Sequence, residues 1–291
     1  MGIAFYLPSR TFSENIKKSI GSTILFVFCF HFLFHQATFG QNIHQKYPSA
    51  RSGGNYMHNF YIPPAFSSTP WAPDWHPQGN SIGLAMNGSI WKVDIQTGIA
   101  HELTYSSKYH SSPDWSPDGN WLIYTADDNG GSIQLEILNV QSGEAHVLTN
   151  NEQVYLDPVF SPDGSKVAYV STEPSGYFNV YVRPIKNGRW DGEAIAITSD
   201  HKYPSSRLYF GEWDMHITPT WFPNGEELLL VSNRNIPLGS GDVWRVPVEE
   251  SGMTQAKSVL SEQTLYRTRP HVSIDGQRFV YSSTGGASDQ F

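Results

Sequence analysis

Chemistry-bearing residues recur in this sequence at fixed distances from five prolines, Pro73, Pro113, Pro158, Pro219 and Pro270. Three residues before the proline stand His110, Tyr155, His216 and Arg267, and one residue before it stand Ser112, Asp157, Thr218 and Arg269. Imidazoles, a phenol, a carboxylate and guanidinium groups brought to one place would bind an anionic or sugar-like ligand. They would equally lend polar groups to a hydrolytic site on a partner domain. His110, Tyr155, Asp157, His216, Arg267 and Arg269 therefore form the candidate binding set, against the plainer reading of a polar, water-filled rim.

Other constellations carry less. Glu212, Asp214 and His216 alternate, which on a strand points all three to one face, and carboxylates with a histidine ligate zinc or calcium. No second ligand cluster follows at a fitting spacing, so a hydrogen-bonded loop support is the preferred reading. Asp127-Asp128-Asn129-Gly130 has the look of a calcium-loop fragment, but between two strands it reads as a hairpin turn. Asn87-Gly88-Ser89 fits a glycosylation sequon and, more simply, another hairpin turn. Neither a Gly-x-Ser-x-Gly elbow nor a His-x-His or His-Glu-x-x-His pattern occurs. No catalytic residue, metal or cofactor is assigned to this chain.

The elements that must position the candidate set follow from the repeat. Pro113-Asp114-Trp115-Ser116-Pro117-Asp118-Gly119-Asn120 returns as Pro73-Asp74-Trp75-His76-Pro77-Gln78-Gly79-Asn80 and Pro158-Val159-Phe160-Ser161-Pro162-Asp163-Gly164-Ser165. Looser copies begin at Pro219 and Pro270, so the glycines stand at 79, 119, 164, 225 and 276. Proline presets φ, Asp or Asn bonds its own backbone and glycine supplies positive φ, which together make a tight reversal between strands. The aromatic two residues before the turn proline is placed to fill the space between neighbouring sheets. After each glycine comes a β-rich run such as Leu122-Ile123-Tyr124-Thr125, then a third strand, then a fourth ending in Leu-Thr or Ile-Thr. Beyond residue 40 no helical apolar period competes. The expectation is an all-β fold, a β-propeller of four-stranded antiparallel blades in which about four and a half blades are written.

These residues resemble the TolB-like β-propeller repeat, a relative of WD repeats, over about residues 70–283. The stretches Leu208-Tyr209-Phe210-Gly211-Glu212-Trp213-Asp214-Met215-His216 and Thr264-Leu265-Tyr266-Arg267-Thr268-Arg269-Pro270 narrow the likeness. They are similar to the propeller that precedes the catalytic domain of secreted bacterial amidohydrolases. The resemblance implies a module that shapes access to a metal-dependent site whose residues lie outside this chain. TolB itself carries an α/β domain before its propeller, for which this sequence shows no pattern.

Residues 1–40 read as a signal peptide. Lys17 and Lys18 precede an apolar run of about 15 residues, short of the roughly 20 that a spanning helix wants. Removing this segment takes away Cys29, the only cysteine, and leaves 16 basic and 26 acidic residues, a net charge of −10 against −8 for the whole chain. Such a surface repels phosphate backbones and disfavours nucleic acid. Residues 41–69 read as an extended N-terminal segment and 70–291 as the propeller, C-terminally truncated within its fifth repeat. Residues 199–216 form the longest irregular piece, the first place to look for a contact surface. The expected product is periplasmic or secreted, without a membrane span once the signal is cleaved. Its expected partner is a C-terminal catalytic domain or, for a stand-alone interaction propeller, an envelope protein.

Overall fold

The computed structural model describes residues 69–128, 131–205, 207, 211–237, 241–260 and 267–283. The signal-peptide reading, the extended segment through residue 68, Asn129-Gly130 and the stretches 208–210 and 264–266 lie outside them.

Within these residues five antiparallel sheets follow one another in chain order. Blade one is β1 (Trp71–Trp75), β2 (Ser81–Met86), β3 (Ser89–Asp94) and β4 (Ala100–Glu102). Blade two is β5 (Tyr109–Trp115), β6 (Trp121–Asp127), β7 (Ile133–Asn139) and β8 (Ala145–Val147). Blade three is β9 (Tyr155–Phe160), β10 (Lys166–Ser171), β11 (Asn179–Lys186), β12 (Arg189–Trp190) and β13 (Ile195–Ala196). Blade four is β14 (His216–Trp221), β15 (Glu227–Ser232), β16 (Asp242–Pro247) and β17 (Lys257–Leu260), and β18 (Arg267–Val272) with β19 (Phe279–Ser283) makes the two-stranded blade five. Each sheet is a meander whose first strand packs on the first strand of the next, β5 on β1, β9 on β5, β14 on β9 and β18 on β14. This is a β-propeller.

The repeat motif is visible atom by atom. In blade three the Ser161 hydroxyl donates to Asp163 Oδ1 at 2.6 Å and accepts from Lys166 N at 2.9 Å. Asp163 also accepts from Ser165 N, which closes the reversal around Gly164 at φ 71°. In blades one to three the threonine two residues past the last strand has an equally fixed task. Thr104, Thr149 and Thr198 accept the N–H of Ile90, Leu135 and Val180 through their hydroxyls at 2.8–2.9 Å, locking the outer strand to the third.

Between blades the core is aliphatic, with the repeat aromatic as its plug. Trp115, Phe160 and Trp221 are buried. Trp75, in the same position on blade one, is 58 % exposed, because among the described residues no sheet packs against that side of the blade. The turn at 187–188 is an Asn-Gly hairpin with both φ values positive. Its arm reaches back to blade two, where Gly188 O accepts from His146 Nε2 at 2.7 Å and Trp190 Nε1 donates to Leu148 O at 2.9 Å. The Asn87-Gly88 hairpin has the same pair of positive φ values.

Candidate functional site

Every inner strand carries the same irregularity. Its register against the second strand slips between Trp71 and Asp74, Ser111 and Asp114, Leu156 and Val159, Ile217 and Thr220, and Thr268 and His271. Two residues oppose one there, a β-bulge, and its first residue is left-handed without being glycine. These are Ala72, Ser112, Asp157, Thr218 and Arg269, with φ between 47° and 52°. Each such residue costs on the order of 1–2 kcal/mol, and five copies ring one axis.

The bulge explains where the candidate residues go. On an unbroken strand, residues three and one before the proline share a face; the bulge separates them. The residues one before the proline, with the prolines themselves, line a central cavity of about 540 Å³. Asp157 and Arg269 lie there with Ser112 and Thr218. His110, Tyr155, His216 and Arg267 do not line it and are buried at the strand starts. The expectation that all six converge on one mouth is corrected to this extent.

The four buried residues belong to the blades. His110 Nδ1 pairs with Thr104 Oγ1 at 2.7 Å, and Nε2 lies 3.8 Å from Glu136 Oε2, a carboxylate that also takes Lys108 Nζ at 2.6 Å. Burial, aided by Lys108 and opposed by Glu136, pulls the His110 pKa down. Tyr155 accepts from Asn151 Nδ2 and donates to Glu173 Oε2 at 2.9 Å, and burial foremost pushes its pKa up to about 12. Arg267 donates to Gly241 O at 2.6 Å and Asp242 Oδ1 at 3.3 Å. His216 is fully buried, and desolvation foremost lowers its pKa to about 4, against the opposing pull of Asp214.

The alternating set Glu212, Asp214 and His216 does not converge. Glu212 pairs with Lys202 on the surface, while the Asp214 carboxylate holds Arg207 Nη2 and His201 Nδ1, both at 2.7 Å. Arg207 donates in addition to the carbonyls of Ile236, Trp213 and Asn233, so Asp214 and Arg207 together are tied to the loop that follows β15. Among the described residues no three His, Cys, Asp or Glu stand close enough to hold a metal ion.

The cavity joins residues far apart in the chain. Ser112 Oγ donates to Asp157 Oδ1 at 2.9 Å, and Arg269 Nη2 reaches Ser112 Oγ at 3.2 Å and Asp157 Oδ1 at 3.5 Å. The Arg269 guanidinium lies 5.3 Å over the Trp71 ring, and its backbone N–H donates to Thr218 Oγ1 at 3.3 Å. One arginine on blade five thus touches blades one, two, three and four. Sequence reasoning left the residues one after the proline inside the turn motif, yet two of them staple blades. Asp74 Oδ2 accepts Trp115 N at 2.8 Å and Asp114 Oδ2 accepts Phe160 N at 2.7 Å. Burial raises the Asp74 pKa to about 6; burial and then the Asp74 charge push Asp114 well above the usual carboxylate range. The signal was the carboxylate repeated in Pro-Asp-Trp. Hydroxyls, carboxylates and one arginine fork against a proline and indole wall suit an extended polar segment, the hydrogen bonds fixing orientation and the wall supplying area.

Comparison with known proteins agrees with this geometry. The family model described as the TolB beta propeller domain matches residues 63–207. TolB from Acinetobacter baumannii is 18 % identical with a TM-score of 0.55, over 75 % of this chain and 50 % of that one. A protein assigned as TolB from Agrobacterium tumefaciens is 20 % identical with a TM-score of 0.60, over 77 % of this chain and 72 % of that one. This chain therefore spans half the length of the first of these proteins. Its fold is that of a TolB-like β-propeller, and the match to the family model covers residues 63–207.

Proposed function

We propose that this propeller is an exported, non-catalytic binding module, the leading part of an amidohydrolase-type hydrolase, and that its channel engages the catalytic domain or that domain's substrate. The observation that carries the reading is the Ser112–Asp157–Arg269 network. It gathers three blades on strained bulge residues, and non-glycine residues held at positive φ cluster at functional sites. The amidohydrolase assignment rests on the resemblance at 208–216 and 264–270. The hydrolytic metal would then be held by residues of the catalytic domain, and the polar channel would steer what reaches it.

The test is to express the protein from its uninterrupted reading frame and assay metal-dependent amide hydrolysis, beside the 291-residue chain alone. Activity confined to the longer protein, with Asp157→Ala and Arg269→Ala raising KM and leaving kcat within twofold, is the expected result. Equal activity in the 291-residue chain would refute a non-catalytic role. A second reading, a stand-alone protein-interaction propeller of the cell envelope, is favoured by the TolB likeness over three-quarters of the chain. It predicts no amide hydrolysis, and capture of an envelope protein that Arg269→Ala abolishes.

A further inference from the structure

We propose that blade three carries a one-electron path, from Trp190 and Tyr181 through Tyr169 to Tyr155, that ends on a phenol whose proton Glu173 takes. The oxidant it answers is a one-electron acceptor at the protein surface, such as a peroxyl radical. Each strand from the outer edge inward supplies one ring: Trp190 on β12, Tyr181 on β11, Tyr169 on β10 and Tyr155 on β9. The Tyr169 ring is the hub. Its centroid lies 5.8 Å from that of Trp190, 5.9 Å from Tyr181 in a stacked arrangement, and 5.9 Å from Tyr155. These are ring-contact separations, across which an electron passes readily. Trp190 and Tyr181 are half-buried, whereas Tyr169 and Tyr155 are 2 % and 3 % exposed, so the path runs from near water into the core.

The repeat does not require this row. Tyr169 pairs with Tyr181 across the strands, but the same pair is Leu84 with Trp91 in blade one, Tyr124 with Glu136 in blade two and Leu230 with Trp244 in blade four. The inner position of Tyr155 is held by His110 and His216 in blades two and four. Leucine therefore fills the middle position where only packing is needed, and among the described residues blade three alone has oxidisable rings throughout.

Chemistry gives the path its direction. The Arg183 guanidinium lies 5.2 Å over the Trp190 ring, and a cation there disfavours positive charge on the indole. Burial foremost pushes the Tyr181 and Tyr155 pKa values up to about 12, so both phenols keep their protons at neutral pH. Such a phenol gives up an electron readily only where a base takes its proton. Tyr181 donates to the backbone carbonyl of Glu173, which is no base, whereas Tyr155 donates to the Glu173 carboxylate at 2.9 Å. In the step, one electron leaves Tyr155 by way of Tyr169 and Trp190 for the oxidant, the phenolic O–H bond breaks, and the proton joins Glu173 Oε2. The products are a neutral tyrosyl radical, a carboxylic acid open to water and an oxidant reduced by one electron. An oxidising equivalent that strikes the outer edge is thereby held on one defined phenol.

The test injects the oxidising equivalent at one point of the 291-residue chain. In a Cys29→Ser background, Arg189→Cys, an exposed position beside Trp190, is coupled to a ruthenium tris(bipyridine) photosensitiser. Flash excitation with a cobalt(III) quencher then generates ruthenium(III) there. A tyrosyl signal should appear in electron paramagnetic resonance, and Tyr155→Phe or Tyr169→Phe should each lower its yield at least fivefold. Glu173→Gln should slow its formation at least tenfold and abolish its solvent deuterium effect. Tyr105→Phe, at a phenol that is 90 % exposed and off the path, should leave the yield unchanged. An undiminished yield in Tyr169→Phe, a radical persisting in Tyr155→Phe, or a signal lost in Tyr105→Phe would overturn the proposal. Should a core Tyr→Phe variant fail to fold, the surface variant Glu173→Gln decides alone, and an unchanged rate and deuterium effect there would overturn it equally.

Discussion

The two halves of each inner strand occupy equivalent places in the repeat and do different work. At the strand start, His110, Tyr155, His216 and Arg267 are buried, and the first two and Arg267 spend their polar atoms on their own and adjoining loops. Two residues further on, past the start of the bulge, Ser112, Asp157 and Arg269 face a cavity and bond across blades. One end braces the blades and the other turns polar groups toward the cavity. Polar character alone does not tell which is which. A single extra residue in the strand decides which side chain meets the channel.

The sharpest way to break this contrast is at the buried end. Asp214→Ala leaves the Arg207 guanidinium, whose side chain has no exposure, without its carboxylate. Breaking a buried pair by removing one partner costs about 3–5 kcal/mol, so the urea midpoint should fall by the largest amount of any single change considered. A loss under 1 kcal/mol would mean that the Asp214–Arg207 pair does not brace the fold there.

The two ends should also respond to acid with opposite sign. His216, folded pKa about 4 against 6.5 unfolded, stays neutral in the fold while the unfolded chain gains a proton. Its contribution is complete above pH 6.5 and is lost as the pH falls toward 4. Asp74, folded pKa about 6 against 3.8, does the reverse: the folded state holds the extra proton, so stability is highest below about pH 4 and declines as the pH rises through 6. At about 1.4 kcal/mol per pKa unit, and discounting Asp74 for its partial exposure, the total changes are on the order of 1–4 kcal/mol each. His216→Phe should remove the acid-side loss and be neutral or stabilising at pH 7. Asp74→Asn, which keeps an acceptor for Trp115 N, should raise stability at pH 7. Unfolding midpoints between pH 4 and 7 decide; parallel curves for both variants and the parent would refute the opposition.

Much of the buried end was written in the sequence. The turn chemistry, the plugging aromatics and the Leu-Thr strand ends all recur with the period, because each performs one local task per blade. Thr149 shows how small that task is: its hydroxyl accepts Leu135 N at 2.9 Å. Thr149→Val should therefore cost about 1–3 kcal/mol, the cost of stranding a buried N–H, measurable by urea unfolding; an unchanged midpoint would show that water takes over the bond. The bulge was not legible. A residue before proline is ordinarily extended, and Ser112, Asp157, Thr218 and Arg269 share neither size nor polarity with Ala72, so no residue type announces the left-handed turn. Without the bulge, the period of two along a strand would put His110 and Ser112 on one face. The Asp74 and Asp114 staples were hidden for a related reason. Their partners, Trp115 N and Phe160 N, lie more than 40 residues on in the chain, where no local pattern pairs them.

The smallest effect on stability belongs to the residue with the widest reach. Arg269 is 40 % exposed, and its bonds to Ser112 and Asp157 are long, at 3.2 and 3.5 Å. Ion pairs of that kind contribute about 0–1 kcal/mol, so Arg269→Ala should shift the unfolding midpoint by less than any buried-end change. If the channel presents chemistry, the same substitution should still weaken capture of the partner tenfold or more. Arg269→Lys should not restore it, because an ammonium lacks the planar fork that reaches two acceptors while lying over Trp71. Stability and binding would then separate at the bulge and stay joined at the strand start. A variant at Arg269 that lost both together would place this arginine with His110 and Arg267, as one more brace between blades.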